Sequence, residues 1–82
     1  MNQDYDWLIS KQATEGFIRH TRTQRTKLID FFDRLAQGVH MEPEGSIIDS
    51  EGTEFLLSTM DSIVVTYRID HAVKMIYIVA LE

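Results

Sequence analysis

Ile63, Val65, Tyr67 and Ile69 alternate with Val64, Thr66, Arg68 and Asp70. A period of two, apolar on one side and mixed on the other, predicts a strand. After a tight turn at Asp70-His71-Ala72 comes Met75-Ile76-Tyr77-Ile78-Val79-Ala80-Leu81. That run is apolar on both faces, which places it inside a sheet rather than at an edge. The short connection makes the two strands a hairpin. Residues 54–59 read as a preceding strand, bounded by a turn near Asp61-Ser62. Near the start of the chain, Tyr5-Asp6-Trp7-Leu8-Ile9-Ser10 is rich in aromatic and branched residues and reads as a first strand.

Between these strands the period changes. Leu28, Phe31, Phe32 and Leu35 recur at spacings of three and four, and Ile29 and Ala36 widen the stripe. Arg25, Lys27, Asp30, Asp33, Arg34 and Gln37 fill the opposite side, with Asp30 four residues before Arg34 in the favourable order for a helix pair. Thr21-Arg22-Thr23-Gln24 matches a capping box that opens this helix, and Gly38 ends it as a left-handed C′ residue. A shorter helix over residues 11–20 follows a Ser10 cap, with Ala13 and Phe17 on one face. Gly16 weakens it by about 1 kcal/mol relative to alanine. Residues 39–53 hold Pro43, Gly45 and Gly52 and read as a surface loop, with Ile47-Ile48 tucked back toward the core. The order is strand, helix, helix and a three-stranded antiparallel meander. It predicts an α+β fold, one layer of two helices on a four-stranded sheet.

Length and composition narrow the class. A chain of 82 residues makes one domain, 1–82. At this size roughly 60–65% of the unfolded surface is buried, so the stability margin is thin. With no cysteine, neither a disulfide nor a thiolate metal site supplements the core. No apolar run approaches the roughly 20 residues of a membrane helix. Met1-Asn2-Gln3-Asp4 is polar and acidic, unlike a signal peptide. A cytoplasmic location is the expectation. The net charge of −5 disfavours nonspecific nucleic-acid binding, which draws its affinity from phosphate contacts. The distribution says more than the total. Arg19, Arg22, Arg25 and Lys27 form a basic shoulder, whereas Glu42, Glu44, Asp49, Glu51, Glu54 and Asp61 fall in a stretch without Lys or Arg.

Ser62 to Leu81, with Val65-Thr66-Tyr67-Arg68-Ile69-Asp70 at its heart, resembles the third and fourth strands of RelE/ParE-type toxins. In that superfamily a Tyr-Arg-hydrophobic-Asp run precedes a short turn and a branched-residue strand. Lys27-Leu28-Ile29-Asp30-Phe31-Phe32-Asp33-Arg34-Leu35 is similar to the superfamily's second helix, which a proline-containing loop follows. The resemblance covers nearly the whole chain. It implies a type II toxin–antitoxin protein held by a partner antitoxin. RelE-like members cleave mRNA on the ribosome, and ParE-like members act on DNA gyrase. Metal-free RNA cleavage needs groups that take the 2′-hydroxyl proton, protonate the leaving oxygen and neutralise phosphate. RelE-like members supply these from basic residues on the sheet and in a C-terminal segment. Here the second strand of the chain, residues 54–59, offers Phe55, Leu57 and Thr59 where a nuclease would want lysines, and the superfamily's arginine near the start of the third strand falls at about Val64. The sequence stops at Glu82, directly after the last strand. The expectation is a ribonuclease-deficient, ParE-like or degenerate member that acts by binding.

Three alternatives therefore frame the structure. The first is the binding toxin with its antitoxin, using the basic shoulder Arg19, Arg22, Arg25 and Lys27 toward a partner or nucleic acid. The second is a RelE-like ribonuclease with an atypical site built from Arg68, His71 and Lys74. The third is a homodimeric interaction module, since small domains gain stability by oligomerising. Each candidate also has a plain structural reading. His71 reads as a solvated turn residue and Arg68 as one half of a cross-strand ion pair. The basic shoulder reads as a solvated helix junction. Trp7 and Tyr5 read as core or strand-edge packing. His20, His40 and His71 lack metal-ligand spacing, and Asp49-Ser50-Glu51-Gly52 is too short for a calcium loop and reads as a turn. No phosphate loop, nucleophile elbow or zinc-protease motif is present. Neither a metal nor a cofactor is expected.

Overall fold

The computed structural model describes residues 5–38 and 42–82. The expectations for Met1-Asn2-Gln3-Asp4 and for His40 lie outside the described residues. The element order is β1 (Asp6–Ile9), α1 (Lys11–Arg19), α2 (Arg22–Ala36), β2 (Gly45–Ile48), β3 (Glu54–Met60), β4 (Ile63–Asp70) and β5 (Met75–Leu81).

Local chemistry sets the boundaries. Ser10 caps α1 by accepting from the Ala13 N–H at 3.0 Å, and its own hydroxyl donates to the Val79 carbonyl at 3.1 Å. One side chain thus starts the helix and ties it to β5. Thr21 and Gln24 form the full capping box of α2. Gln37 closes that helix, and Gly38 takes the left-handed conformation at φ +76°.

The sheet has five strands in the order β1-β5-β4-β3-β2. β1 runs parallel to β5, and the other pairings are antiparallel. β5 is interior, as its two apolar faces require. The expected count of four strands is corrected to five, because Gly45–Ile48 is a strand within the expected loop. Its pattern has only two apolar residues and follows a proline, so it carries no periodic signal. It forms because the next turn folds it onto β3. The Asp49 carboxylate accepts the N–H groups of Glu51 and Thr53, each at 2.9 Å, while Gly52 sits at φ +86°. Ile47 and Ile48 do not tuck back. They are 53% and 66% exposed.

Both helices pack into one core on one side of the sheet. Leu28 and Phe32 of α2 and Ala13 of α1 meet Val65, Tyr67, Ile76 and Ile78. Each large side chain so buried contributes about 1.5–3 kcal/mol. Trp7 packs at the edge of this core, its ring 5.0 Å from Phe32, and its Nε1–H donates to Asp33 at 2.9 Å. Gly16 is where α1 touches β5. A Cβ there would lie 2.7 Å from the Leu81 carbonyl oxygen, so only glycine permits the approach.

Candidate functional site

With the helices on one side, the other side of the sheet is open. Alternation along β4 sends Ile63, Val65 and Tyr67 into the core and Val64, Thr66 and Arg68 outward. Register extends the open face across the neighbouring strands. Tyr77 stands opposite both Arg68 and Leu8, and Leu57 stands opposite Thr66. Phe55 pairs with Ile47 toward the β2 edge. Between Thr66 and Tyr67 the register shifts, so Val79 is an extra residue in β5 and locally bends that strand. Beside it Ile47, Phe55, Thr66, Val79 and Ala80, with Gln12, outline a shallow hollow of about 320 Å³. The face is mostly apolar. Leu8 is 53% and Val64 39% exposed on it.

Arg68 is the basic residue of β4, and the structure corrects its expected role. The ion pair across the strand is replaced by a cation–π contact, with the guanidinium carbon 4.2 Å from the centre of the Tyr77 ring. Such a contact is worth about 0.5–1 kcal/mol at an exposed site and lays the guanidinium against the ring. His71 lies in the β4–β5 turn, where the Asp70 carboxylate accepts the Ala72 N–H at 3.0 Å. It is exposed but has a fixed partner, contrary to expectation: its Nδ1 lies 2.7 Å from the Tyr5 hydroxyl, with the rings edge-on. The two atoms share one hydrogen bond, whose donor is set by the imidazole tautomer. Arg68 and His71 share a cleft of about 240 Å³ with Thr53, Glu54, Leu56 and Ile69. Lys74 does not line it. That residue ends the turn at φ +56°, and its carbonyl accepts the Asp6 N–H. Two of the three candidates, Arg68 and His71, thus meet at one cleft, and Tyr5 joins His71 from 66 residues away, a pairing no local pattern signals.

The basic shoulder divides in two. Arg25 donates to the His20 carbonyl at 2.6 Å and the Ile18 carbonyl at 3.3 Å, so it fastens the α1–α2 junction. Lys27 lies 3.5 Å from Asp61 in the β3–β4 turn. Arg19 and Arg22 stay exposed. Arg25 and Lys27 therefore have partners within the chain, whereas Arg19 and Arg22 project as exposed side chains. Among the described residues no three His, Cys, Asp or Glu side chains gather as metal ligands, and no helix is long and apolar enough to cross a membrane.

A strand, a helical pair and an antiparallel meander with one open sheet face define the fold class, and solved structures share it. One chain of the archaeal RelE–RelB complex from Pyrococcus horikoshii matches with a TM-score of 0.78 at 18% identity, covering 98% of this chain and 94% of that one. One chain of the toxin–antitoxin complex RelBE2 from Mycobacterium tuberculosis matches with a TM-score of 0.77 at 13% identity, covering 100% of this chain and 95% of that one. The chain thus has the fold of these RelE/RelB-complex proteins, and the resemblance read from β4 and β5 holds at the level of fold. No protein-family model and no curated protein matches the sequence.

Proposed function

We propose that the chain is the toxin-type component of a type II toxin–antitoxin pair, works in the cytoplasm, and acts by binding rather than by cutting RNA. The fold likeness to chains of two toxin–antitoxin complexes supports the pairing. One observation carries the binding mode. The open face presents Leu8, Phe55, Leu57 and Val64, and its β4 arginine, Arg68, is stacked on Tyr77. Phosphate neutralisation and general-acid work need several protonated donors converging on one point. An apolar sheet face is instead suited to a protein partner. The partner would be an antitoxin-like product of an adjacent gene.

The test is co-expression with the neighbouring small reading frame. The expected result is growth inhibition by this chain alone, relief on co-expression, and a complex that survives purification. No inhibition and no complex would end the reading.

The shared cleft of Arg68 and His71 favours one alternative, a RelE-like ribonuclease with an atypical site. In vitro translation with the purified chain separates the two. Undiminished translation and intact message are expected for the binder. Cut message that is spared by Arg68→Ala would establish the nuclease.

A further inference from the structure

The two edges of the sheet are unlike. β1 is held at its outer side, where the Tyr5 N–H donates to the Ala36 carbonyl and Trp7 donates to Asp33. Among the described residues β2 has no such cover. The Asp49 N–H bonds to the Thr53 carbonyl, so antiparallel alternation points Ile47 at β3 and turns the N–H and C=O groups of Ser46 and Ile48 outward. The Glu44 carboxylate accepts the Thr59 N–H and hydroxyl at 3.0 and 2.8 Å, satisfying β3 where β2 ends. It closes the edge of β3 and leaves that of β2 open. Natural edge strands are commonly guarded by lysine, proline, a bulge or shortness. Gly45–Ile48 is short, at four residues, but has no lysine, proline or bulge within it, and it exposes Ile47 on one face and Ile48 on the other.

Charge selects what can pair there. Glu42 and Glu44 precede the strand, while Asp49, Glu51 and Glu54 follow it or flank it from β3. Between Arg34 and Arg68 there is no Lys or Arg. A second copy would bring acid frame against acid frame, and its exposed Lys11, Arg19, Arg22, Lys27 and Arg34 are on helices while Lys74 is in the β4–β5 turn. We propose that the outer edge of β2 is a strand-accepting site for an extended, basic segment of a partner polypeptide. Main-chain hydrogen bonds to Ser46 and Ile48 supply the pairing. An apolar side chain of the segment rests beside Ile47 and Phe55, and flanking Lys or Arg residues face the acids. The inference goes beyond the toxin–antitoxin reading, because it specifies a mode of recognition that holds whatever gene encodes the partner.

The probe is a synthetic peptide, Lys-Val-Arg-Val-Lys-Ile-Arg, added to the full chain. Affinity is read by fluorescence anisotropy and amide exchange by NMR. The expected result is saturable binding that weakens with salt, with exchange slowed at Ser46 and Ile48 but hardly changed at Ile47. The same peptide with Glu for each cation should bind at least about tenfold more weakly, the loss expected if the acid frame contributes. Ile48→Pro removes an outward N–H and leaves the bonds to β3, so it should lower affinity by a similar factor while the β4 and β5 resonances keep their positions. Glu42→Lys with Glu51→Lys tests the charge half without touching the backbone. Equal binding of the acidic peptide, protection away from β2, no binding at all, or self-association through β2 would each overturn the proposal. Failure of co-purification with a neighbouring gene product would sink the toxin–antitoxin reading and leave these outcomes unaffected.

Discussion

The two faces of the sheet are built from similar residues and meet opposite fates. On the covered face Val65, Tyr67, Ile76 and Ile78 are sealed by Leu28 and Phe32. On the open face Leu8, Phe55, Leu57, Val64 and Tyr77 occupy equivalent strand positions with no helix above them. Composition alone does not separate the faces. The helices do, and they cover only the side that Gly16 and Ser10 let them approach. The difference teaches that apolar residues on a sheet report stability only when something covers them. Left open, they mark a surface available for recognition.

The comparison can be broken most decisively at Phe32. Truncation to alanine should cost about 3–5 kcal/mol by chemical denaturation, a loss that could leave this small chain unfolded. A loss below 1 kcal/mol would mean that the covered face is not the core. Gly16→Ala tests the fit of the cover itself. Helix propensity alone would make it stabilising by about 1 kcal/mol, whereas the clash with the Leu81 carbonyl should make it destabilising by about 1–3 kcal/mol. The sign of the change in melting temperature decides between propensity and packing. Arg25→Ala should remove charged hydrogen bonds to two carbonyls and cost about 1–2 kcal/mol, while Arg22→Ala should stay within about 0.5 kcal/mol. Equal effects would mean that Arg25 does not fasten the α1–α2 junction. The hairpin joining β3 to β4 serves both faces, and its Asp61 and Ser62 hold φ of +53° and +71°. Ser62→Gly should stabilise by about 0.5 kcal/mol, read as a small rise in the denaturation midpoint. The smallest effect is expected on the open face. Leu8→Ser should change stability by no more than about 0.5 kcal/mol yet weaken capture of any partner seated there.

How much of this was legible depends on where each signal resides. The α2 helix was readable because its stripe, capping box and terminal glycine agree, and each is local. β4 and β5 were readable from alternation and from a run apolar on both sides. β2 was not, because its cause lies in the Asp49 turn and in β3 rather than in Gly45-Ser46-Ile47-Ile48. In the sequence Gly16 reads as a helix defect, because its neighbour, Leu81, lies far along the chain. The same distance hid Tyr5 from His71. Arg68 and His71 stand out in a short run that places them at one hairpin. Their partners, Tyr77 and Tyr5, depended on strand register and on the return of β1 beside β5, which no local pattern encodes.

The parallel pairing of Asp6–Ile9 with Met75–Ile78 also sets a timetable for synthesis. During translation β1, α1 and α2 emerge well before the strand that α1 lies on and β1 pairs with. Until Met75–Leu81 leaves the ribosome, Trp7, Leu28 and Phe32 have no complete sheet to bury against, and closing so long a loop is entropically costly. A nascent chain of this kind keeps its apolar residues uncovered and its sheet face unassembled until Met75–Leu81 appear. A partner recognising that face therefore meets only the assembled sheet.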